Sequence, residues 1–179
     1  MVQRDYVVMK MPVIQTEIAM DLDEFYKTLY KWFSNNGYDF QETEYKEKRD
    51  EGKNIKIKWY AEKKIDDYVK YVIETKFNIQ NIEEVIVKKK DKKVKLVKCN
   101  TEIDFVAYLL KDYENVWTKS AFVKFYREFY DRFIIGSRLG KQEQELKEEV
   151  DKIVYEIKSF LNLHKFQWSL LINSFNFSE

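Results

Sequence analysis

The chain has 179 residues, of which 45% are hydrophobic and 17% aromatic, so a single domain with a substantial core is expected. Its 32 basic residues nearly balance 31 acidic ones, and a net charge of +1 gives no overall attraction to nucleic acid or membranes. One cysteine excludes an internal disulfide and favours a reducing, cytoplasmic compartment. We expect no secretory signal in MVQRDYVVMKMP, and no apolar run is long enough to cross a bilayer.

The first elements are a strand followed by a helix. Residues 2–19 are predicted to be extended, with Val7, Met9 and Met11 alternating with Tyr6, Val8 and Lys10. Pro12 cannot donate a hydrogen bond to a neighbour, so we expect this strand at an edge or bulged there. Asp21 is a suitable N-cap for the helix, and Asn36-Gly37 is a suitable end. The apolar face of the helix comprises Leu22, Phe25, Tyr26, Leu29 and Phe33.

Between residues 38 and 110 apolar side chains recur at every second position, which predicts a series of antiparallel strands. The strand at 40–48 is polar and should be exposed. Turns are predicted at Asp50-Glu51-Gly52 and at Asp66-Asp67. A bend or bulge is expected near Asn81, because polar residues take over the inward positions there. The inward-facing residues include Ile55, Ile57, Trp59, Tyr71, Ile73, Phe77, Ile79 and Phe105.

A run of lysines predicts a hairpin with a basic tip between two short apolar segments. Phe77 precedes the hairpin and Phe105 follows it. For both rings to face inward, the pairing of the two strands needs a loop with an odd number of residues or a bulge. The tip could contact an anionic membrane or nucleic-acid phosphates, although no aromatic residues are interleaved with it for base stacking. Its charges would also protect an exposed hairpin from aggregation without any partner. This basic patch comprises Lys88, Lys89, Lys90, Lys92 and Lys93.

Residues 117–135 have the strongest helical pattern in the chain, with aromatic residues on one face and charges on the other. Such a face must be covered, because each buried aromatic side chain contributes about 1.5–3 kcal/mol. We expect the antiparallel sheet to cover it. The aromatic face comprises Phe122, Phe125, Tyr126, Phe129, Tyr130 and Phe133.

A last helix is predicted from Lys141 to Leu163, after a break between Gly136 and Gly140. Its heptad-like seam suits packing either on the protein's own sheet or on a partner helix. Residues 163–177 are apolar in patches without a clear period, and they should dock on the domain, on a partner or at a lipid interface. The seam comprises Leu146, Val150, Ile153, Ile157 and Phe160, widened by Val154 and Leu161.

Catalytic side chains are few. His164 is the single histidine and Cys99 the single cysteine, and neither lies in a recognisable nucleophile motif or can complete a zinc site with the other. Four glycines form no phosphate-binding loop. Asp21, Asp23 and Glu24 resemble a metal cluster on paper, but a helix N-terminus also favours carboxylates. We expect neither a metal nor a cofactor, and a non-catalytic protein is favoured over an enzyme.

The order of a strand, a helix, several long antiparallel strands and a long helix resembles the helix-grip architecture of START and Bet v 1-like domains. The resemblance covers residues 2–135 and rests on element order. It implies a curved sheet that grips the terminal helix around a cavity for an apolar ligand. The segments WYAEKK at 59–64 and YVKY at 68–71, with the aromatic segment, are similar to uncharacterised archaeal proteins, which implies a family without an activity.

The predicted fold is therefore α+β: a curved antiparallel sheet packed against the aromatic-rich helix in residues 1–135, and a further helix with an apolar tail in 136–179. The first hypothesis is a binding domain that holds a small apolar ligand between sheet and helix. Unpaired Tyr71 or Tyr126 hydroxyls in a roomy interior would favour it, whereas a filled core is the alternative. The predicted ligand-binding residues are Trp59, Tyr71, Phe77, Phe105, Phe122, Tyr126 and Phe129.

The second hypothesis is an interaction or assembly protein. It would bind a protein partner or form a homo-oligomer through residues 141–177, or touch an anionic surface with the basic hairpin. An enzyme is the third hypothesis, and it would need a cleft that holds carboxylates with raised pKa values.

Overall fold

The structure is a computed structural model that describes residues 2–49, 52–89, 92–114 and 136–176. In these residues a five-stranded antiparallel sheet is accompanied by two helices. The predicted α+β fold with one sheet of long antiparallel strands is confirmed. The elements in chain order are β1 (Gln3–Met20), α1 (Leu22–Asn35), β2 (Asp39–Lys48), β3 (Lys53–Lys64), β4 (Val69–Lys89), β5 (Lys92–Lys111) and α2 (Gly136–Asn176).

The strands pair in the order β1-β5-β4-β3-β2, so the first two strands of the chain form the two edges of the sheet. Pro12 therefore lies in an edge strand, as its missing N–H group predicts. At the other edge β2 is polar and largely exposed, in agreement with the prediction for residues 40–48. The hairpin of β4 and β5 occupies the centre of the sheet.

The end of this hairpin carries the predicted basic patch. Lys90 lies outside the described residues, and the structure describes only the backbone of the other four lysines. Nearby, the side chain of Ile86 is exposed. The pairs across the two strands are Lys88 with Lys93 and Lys89 with Lys92.

A bulge interrupts the pairing of β4 with β5 at Asn81, which has a positive φ of 53°. The sequence predicted a bulge or bend at this place. Phe77 and Phe105 are both buried on the inner face of the sheet. Because side chains alternate along a strand, one extra residue in β4 allows both rings to point the same way.

Asparagine side chains complete two bulges that lie in one row across the sheet. Glu17 in β1 has a positive φ of 52°, and its N–H group donates to Oδ1 of Asn100 at 2.9 Å. In the same way the N–H group of Asn81 donates to Oδ1 of Asn54 at 3.0 Å. These bonds satisfy amides that the irregular ladder leaves unpaired. The sheet is therefore bent along a line that crosses β1, β5, β4 and β3.

Helix α1 begins and ends where the sequence predicted. The carboxylate of Asp21 accepts hydrogen bonds from the N–H groups of Asp23 and Glu24 at 2.9 and 3.1 Å, which makes Asp21 the N-cap. After the helix Gly37 has a φ of 76°, a conformation that glycine adopts without steric cost. The predicted apolar face turns to the sheet, with Phe25, Leu29 and Phe33 buried.

Helix α2 covers a second part of the inner face, chiefly against β1 and β5. Five side chains of its heptad-like seam are at most 1% exposed, so the seam packs on the sheet of the same chain. The opposite side of the helix faces solvent, and Tyr155 there is 72% exposed. The five seam residues that are at most 1% exposed are Leu146, Val150, Ile153, Ile157 and Leu161.

The structure corrects the predicted length of α2. Residues 136–140, predicted as a break, are its first residues, and residues 163–176, predicted without a period, continue it. Once a helix is nucleated, each further hydrogen bond requires only one more residue to be fixed, so an irregular apolar pattern does not stop the helix. Within the described parts of the chain no helix is long and apolar enough to cross a membrane.

Two predicted features lie outside the described residues. One is the aromatic helix at 117–135, with Phe122, Tyr126 and Phe129, and the other is most of the turn at Asp50-Glu51-Gly52. Both stay predictions. The described sheet is covered by α1 and α2.

The packing of α2 predicts unequal effects of two alanine substitutions on the same helix. Ile153→Ala should lower the free energy of unfolding by about 2–5 kcal/mol, because it opens a cavity against the sheet. Tyr155→Ala should change it by less than about 0.5 kcal/mol, because that side chain is exposed. Urea denaturation followed by circular dichroism measures both, and equal effects would contradict the orientation of the helix.

Candidate ligand-binding site

An apolar cleft of about 200 Å³ lies between α1 and the sheet, over β3 and the adjacent parts of β2 and β4. It is partly open to solvent. The first two turns of α1 form one wall, because the apolar positions of this helix face the sheet. The helix residues that line the cleft are Leu22, Asp23, Phe25, Tyr26 and Leu29.

The sheet forms the opposite wall through residues that alternate along neighbouring strands. Since side chains at every second position share a face, three residues of β3 and two of β4 present a continuous apolar surface. β2 adds one tyrosine at the open side. The sheet residues that line the cleft are Tyr45, Ile55, Ile57, Trp59, Phe77 and Ile79.

Trp59 is the centre of the aromatic packing around this cleft. Its ring centroid lies 4.9 Å from that of Tyr26, 4.7 Å from that of Phe77 and 4.6 Å from that of Phe40. The angles between the ring planes are 85°, 64° and 75°, so all three contacts are edge-to-face. Aromatic pairs prefer this geometry, which contributes about 0.5–1.5 kcal/mol per pair beyond burial.

Helix α1 touches the sheet through aromatic residues at its two ends. Phe33 lies against Phe40 and Trp59, with centroid distances of 6.2 Å to each. Near the other end the ring of Phe25 meets Phe77 at 6.3 Å and Phe160 of α2 at 5.4 Å. A straight helix on a bent sheet cannot contact it along its whole length, so part of the inner face stays uncovered beside α1.

Of the seven predicted ligand-binding residues, the structure brings Trp59 and Phe77 to the cleft. Tyr71 and Phe105 are buried on the same face of the sheet but do not line this cleft. The other three lie outside the described residues. The helix wall belongs to α1, whose apolar face was recognised in the sequence without being assigned to the site. An amphipathic helix between two strands of one sheet packs on that sheet, and this rule was the available signal that α1 forms a wall of the site.

The Tyr71 hydroxyl is paired, so it does not mark an empty interior. It donates to Oε2 of Glu145 in α2 at 3.0 Å. The hydroxyl of Tyr38 likewise donates to Oε2 of Glu149 at 2.6 Å, and Nζ of Lys63 lies 2.7 Å from Oε1 of the same carboxylate. These contacts attach α2 to the sheet. Burial, and then the adjacent carboxylate, raise the pKa of Tyr38 well above its usual value.

The remaining candidates for chemistry lie in structural positions. Burial raises the pKa of the Cys99 thiol to about 11, so the thiol stays protonated and unreactive at neutral pH. His164 is in α2, where it stacks on Phe160 at 4.2 Å and its Nε2 is 3.8 Å from Oε2 of Glu24. Asp21 caps its helix, and among the described residues no three histidine, cysteine, aspartate or glutamate side chains could hold a metal ion together.

No protein-family model, no curated protein and no solved structure matches this chain. The candidate site therefore rests on its own geometry. Its walls are aliphatic and aromatic, and the polar groups among the residues that line it belong to Asp23, Tyr26, Tyr45 and the indole of Trp59. Burial raises the pKa of both tyrosines, which keeps their hydroxyls protonated at neutral pH. Such a surface is suited to holding a small molecule rather than to proton transfer.

The Tyr38–Glu149 contact predicts a loss of stability in alkali. Because folding raises the pKa of this hydroxyl, the folded state keeps its proton above pH ~10, where the unfolded chain loses it. Stability should then fall by about 1.4 kcal/mol per pH unit for this group. Tyr38→Phe should reduce the slope by that amount, whereas Tyr155→Phe should leave it unchanged. Urea denaturation from about pH 8 to about pH 11 measures it, and equal slopes in all three proteins would contradict the account.

Proposed function

We propose that this protein is a non-catalytic binding protein that holds a small apolar ligand in the cleft between α1 and the sheet. The observation that carries the proposal is the uncovered aromatic and aliphatic surface in the cleft of about 200 Å³. Apolar surface in contact with water costs about 25 cal/mol per Å², and a ligand that replaces this water recovers the free energy.

The size of the cleft limits the ligand. An apolar cavity of about 150 Å³ accommodates benzene, so this cleft suits a molecule with one ring or a short branched chain. Larger ligands would have to extend through the open side past Tyr45. A ligand of this size should bind with a dissociation constant of about 0.01–1 mM, given the affinity available per atom.

The proposal also includes a reducing location such as the cytoplasm. It is supported by Cys99, a single thiol that is buried in the sheet. Sheet and helices are held together without any disulfide among the described residues, so reducing conditions would not weaken them.

A ring-sized neutral compound tests the proposal. Phenethyl alcohol should raise the melting temperature, because a ligand at about 100 times its dissociation constant adds roughly 2.7 kcal/mol to the free energy of unfolding. Ile57→Phe should abolish this shift, because a larger side chain fills the cleft. Differential scanning calorimetry measures the shift, and circular dichroism confirms that the variant is folded.

The matched control is Ile86→Phe, which adds the same side chain at an exposed position of the hairpin. It should keep the full ligand-induced shift. A shift that survives Ile57→Phe, or that no ring compound produces in the unaltered protein, would contradict binding in the cleft.

A second candidate function is assembly with a protein partner or with further copies of this chain. One observation favours it: the backbone of α2 continues from 162 to 176 beyond Leu161, the last buried residue of its seam, and Leu163 is exposed. The sequence of this last part of α2 is apolar in patches, and an apolar helix end is suited to a partner. Sedimentation velocity over a hundredfold concentration range tests it: a mass that rises with concentration supports assembly, and a constant monomer mass contradicts self-association.

A further inference from the structure

The mouth of the cleft differs chemically from its floor. Trp59 and Phe77 at the floor are buried, whereas Tyr26 and Tyr45 at the mouth are 38% and 53% exposed. A tyrosine ring offers an apolar, electron-rich face and keeps its hydroxyl in water. A bound molecule would therefore place an apolar end on Trp59 and a polar end between the two tyrosines.

A bulge in β2 places a carboxylate beside this mouth. The register between β2 and β3 shifts after Glu42, so that Glu42 lies opposite Trp59 and Tyr45 lies opposite Ile57 on the same face. Nε1 of Trp59 donates to Oε2 of Glu42 at 3.3 Å, which holds the carboxylate at the edge of the floor ring. Asp23 lines the cleft from the helix side. Negative charge thus flanks the opening on both walls.

These two charges are not neutralised by neighbouring residues of the described chain. Glu44 contacts two lysines on the other face of β2, and Glu47 pairs with an arginine at 2.9 Å. Among the described residues no ion pair involves Glu42 or Asp23. Burial, and then the charge of Glu42, raise the pKa of Tyr26, so the field of this carboxylate acts at the mouth.

We propose that the ligand of the cleft is a small organic cation, with a ring-sized apolar body on Trp59 and an ammonium group between the tyrosines and Glu42. This inference rests on the proposed function and names the chemical class of its ligand. A cation is attracted both to aromatic rings and to the two carboxylates. A neutral molecule of the same shape lacks both of these attractions, and an anion is repelled by the carboxylates.

Three probes with the same ring and a two-carbon side chain distinguish a cationic, a neutral and an anionic ligand: phenethylamine, phenethyl alcohol and phenylacetate, in that order of charge at neutral pH. Isothermal titration calorimetry at low salt should show phenethylamine binding about 5- to 30-fold more tightly than the alcohol, with phenylacetate weakest. Raising the ionic strength should reduce the preference for the amine, because part of it is screened charge attraction.

Glu42→Gln should lower the preference for phenethylamine over the alcohol by about 2- to 5-fold, and the attraction of Asp23 and the aromatic rings accounts for the rest. Glu44→Gln is the matched control, since it removes the same charge from the same strand on the other face, and it should keep most of the preference. Asp23→Asn provides a second variant on the opposite wall, with a partial loss expected. Circular dichroism confirms the fold of each protein.

The outcomes distinguish this inference from the proposed function. Equal affinity for the amine and the alcohol, or tighter binding of phenylacetate, would overturn the cationic class and leave a binding cleft. An equal loss of preference in Glu44→Gln would overturn the role of Glu42. No binding of any probe up to about 10 mM would overturn both proposals.

Discussion

The packing of Trp59 determines how the sheet and α1 fit together, and the candidate site depends on it. This indole is buried on the inner face of β3, where rings from α1, β2 and β4 meet it edge-to-face. These contacts hold α1 against the sheet, because edge-to-face packing is the geometry that aromatic pairs prefer. They also fix the floor of the cleft, since the rings of Tyr26 and Phe77 that touch Trp59 line it as well. Removing this ring would change the position of the helix and the shape of the cleft together.

The bend of the sheet divides its inner face between two helices. Bulges at Glu17 and Asn81 curve the strands, and α2 lies across β1 and β5 while α1 lies towards β2 and β3. The helices meet where Phe25 contacts Phe160. α2 fits its region closely, with a largely buried apolar seam and carboxylates that bond tyrosine and lysine side chains of the sheet. α1 is shorter and amphipathic with aromatic residues, and the space it leaves uncovered is the cleft. The cleft therefore results from a difference in how well two helices match one curved sheet.

Patterns within single elements predicted most of the described fold. Period-two alternation located the strands, Asp21 located the start of α1, and the polar residues around Asn81 located a bulge. The site was predictable only in part. The sequence places Trp59 and Phe77 on the inner face, because side chains alternate along a strand. Which helix covers them depends on long-range packing, which the periodicity does not specify. The positions of Tyr45 and Glu42 depend on a one-residue register shift between β2 and β3, and no turn residue or proline signals that shift.

The central claim is that an aromatic floor beside α1 is open to small molecules, and methyl NMR tests it most directly. In protein labelled at isoleucine δ-methyl groups, titration with a ring-bearing ligand such as phenethyl alcohol shifts those methyls that lie beside the bound ring. The account predicts saturable shifts for Ile55, Ile57 and Ile79, which line the cleft, and none for Ile14 and Ile86, which are exposed elsewhere. Shifts confined to Ile14 or Ile86, or no saturable shift at the three cleft methyls, would contradict it.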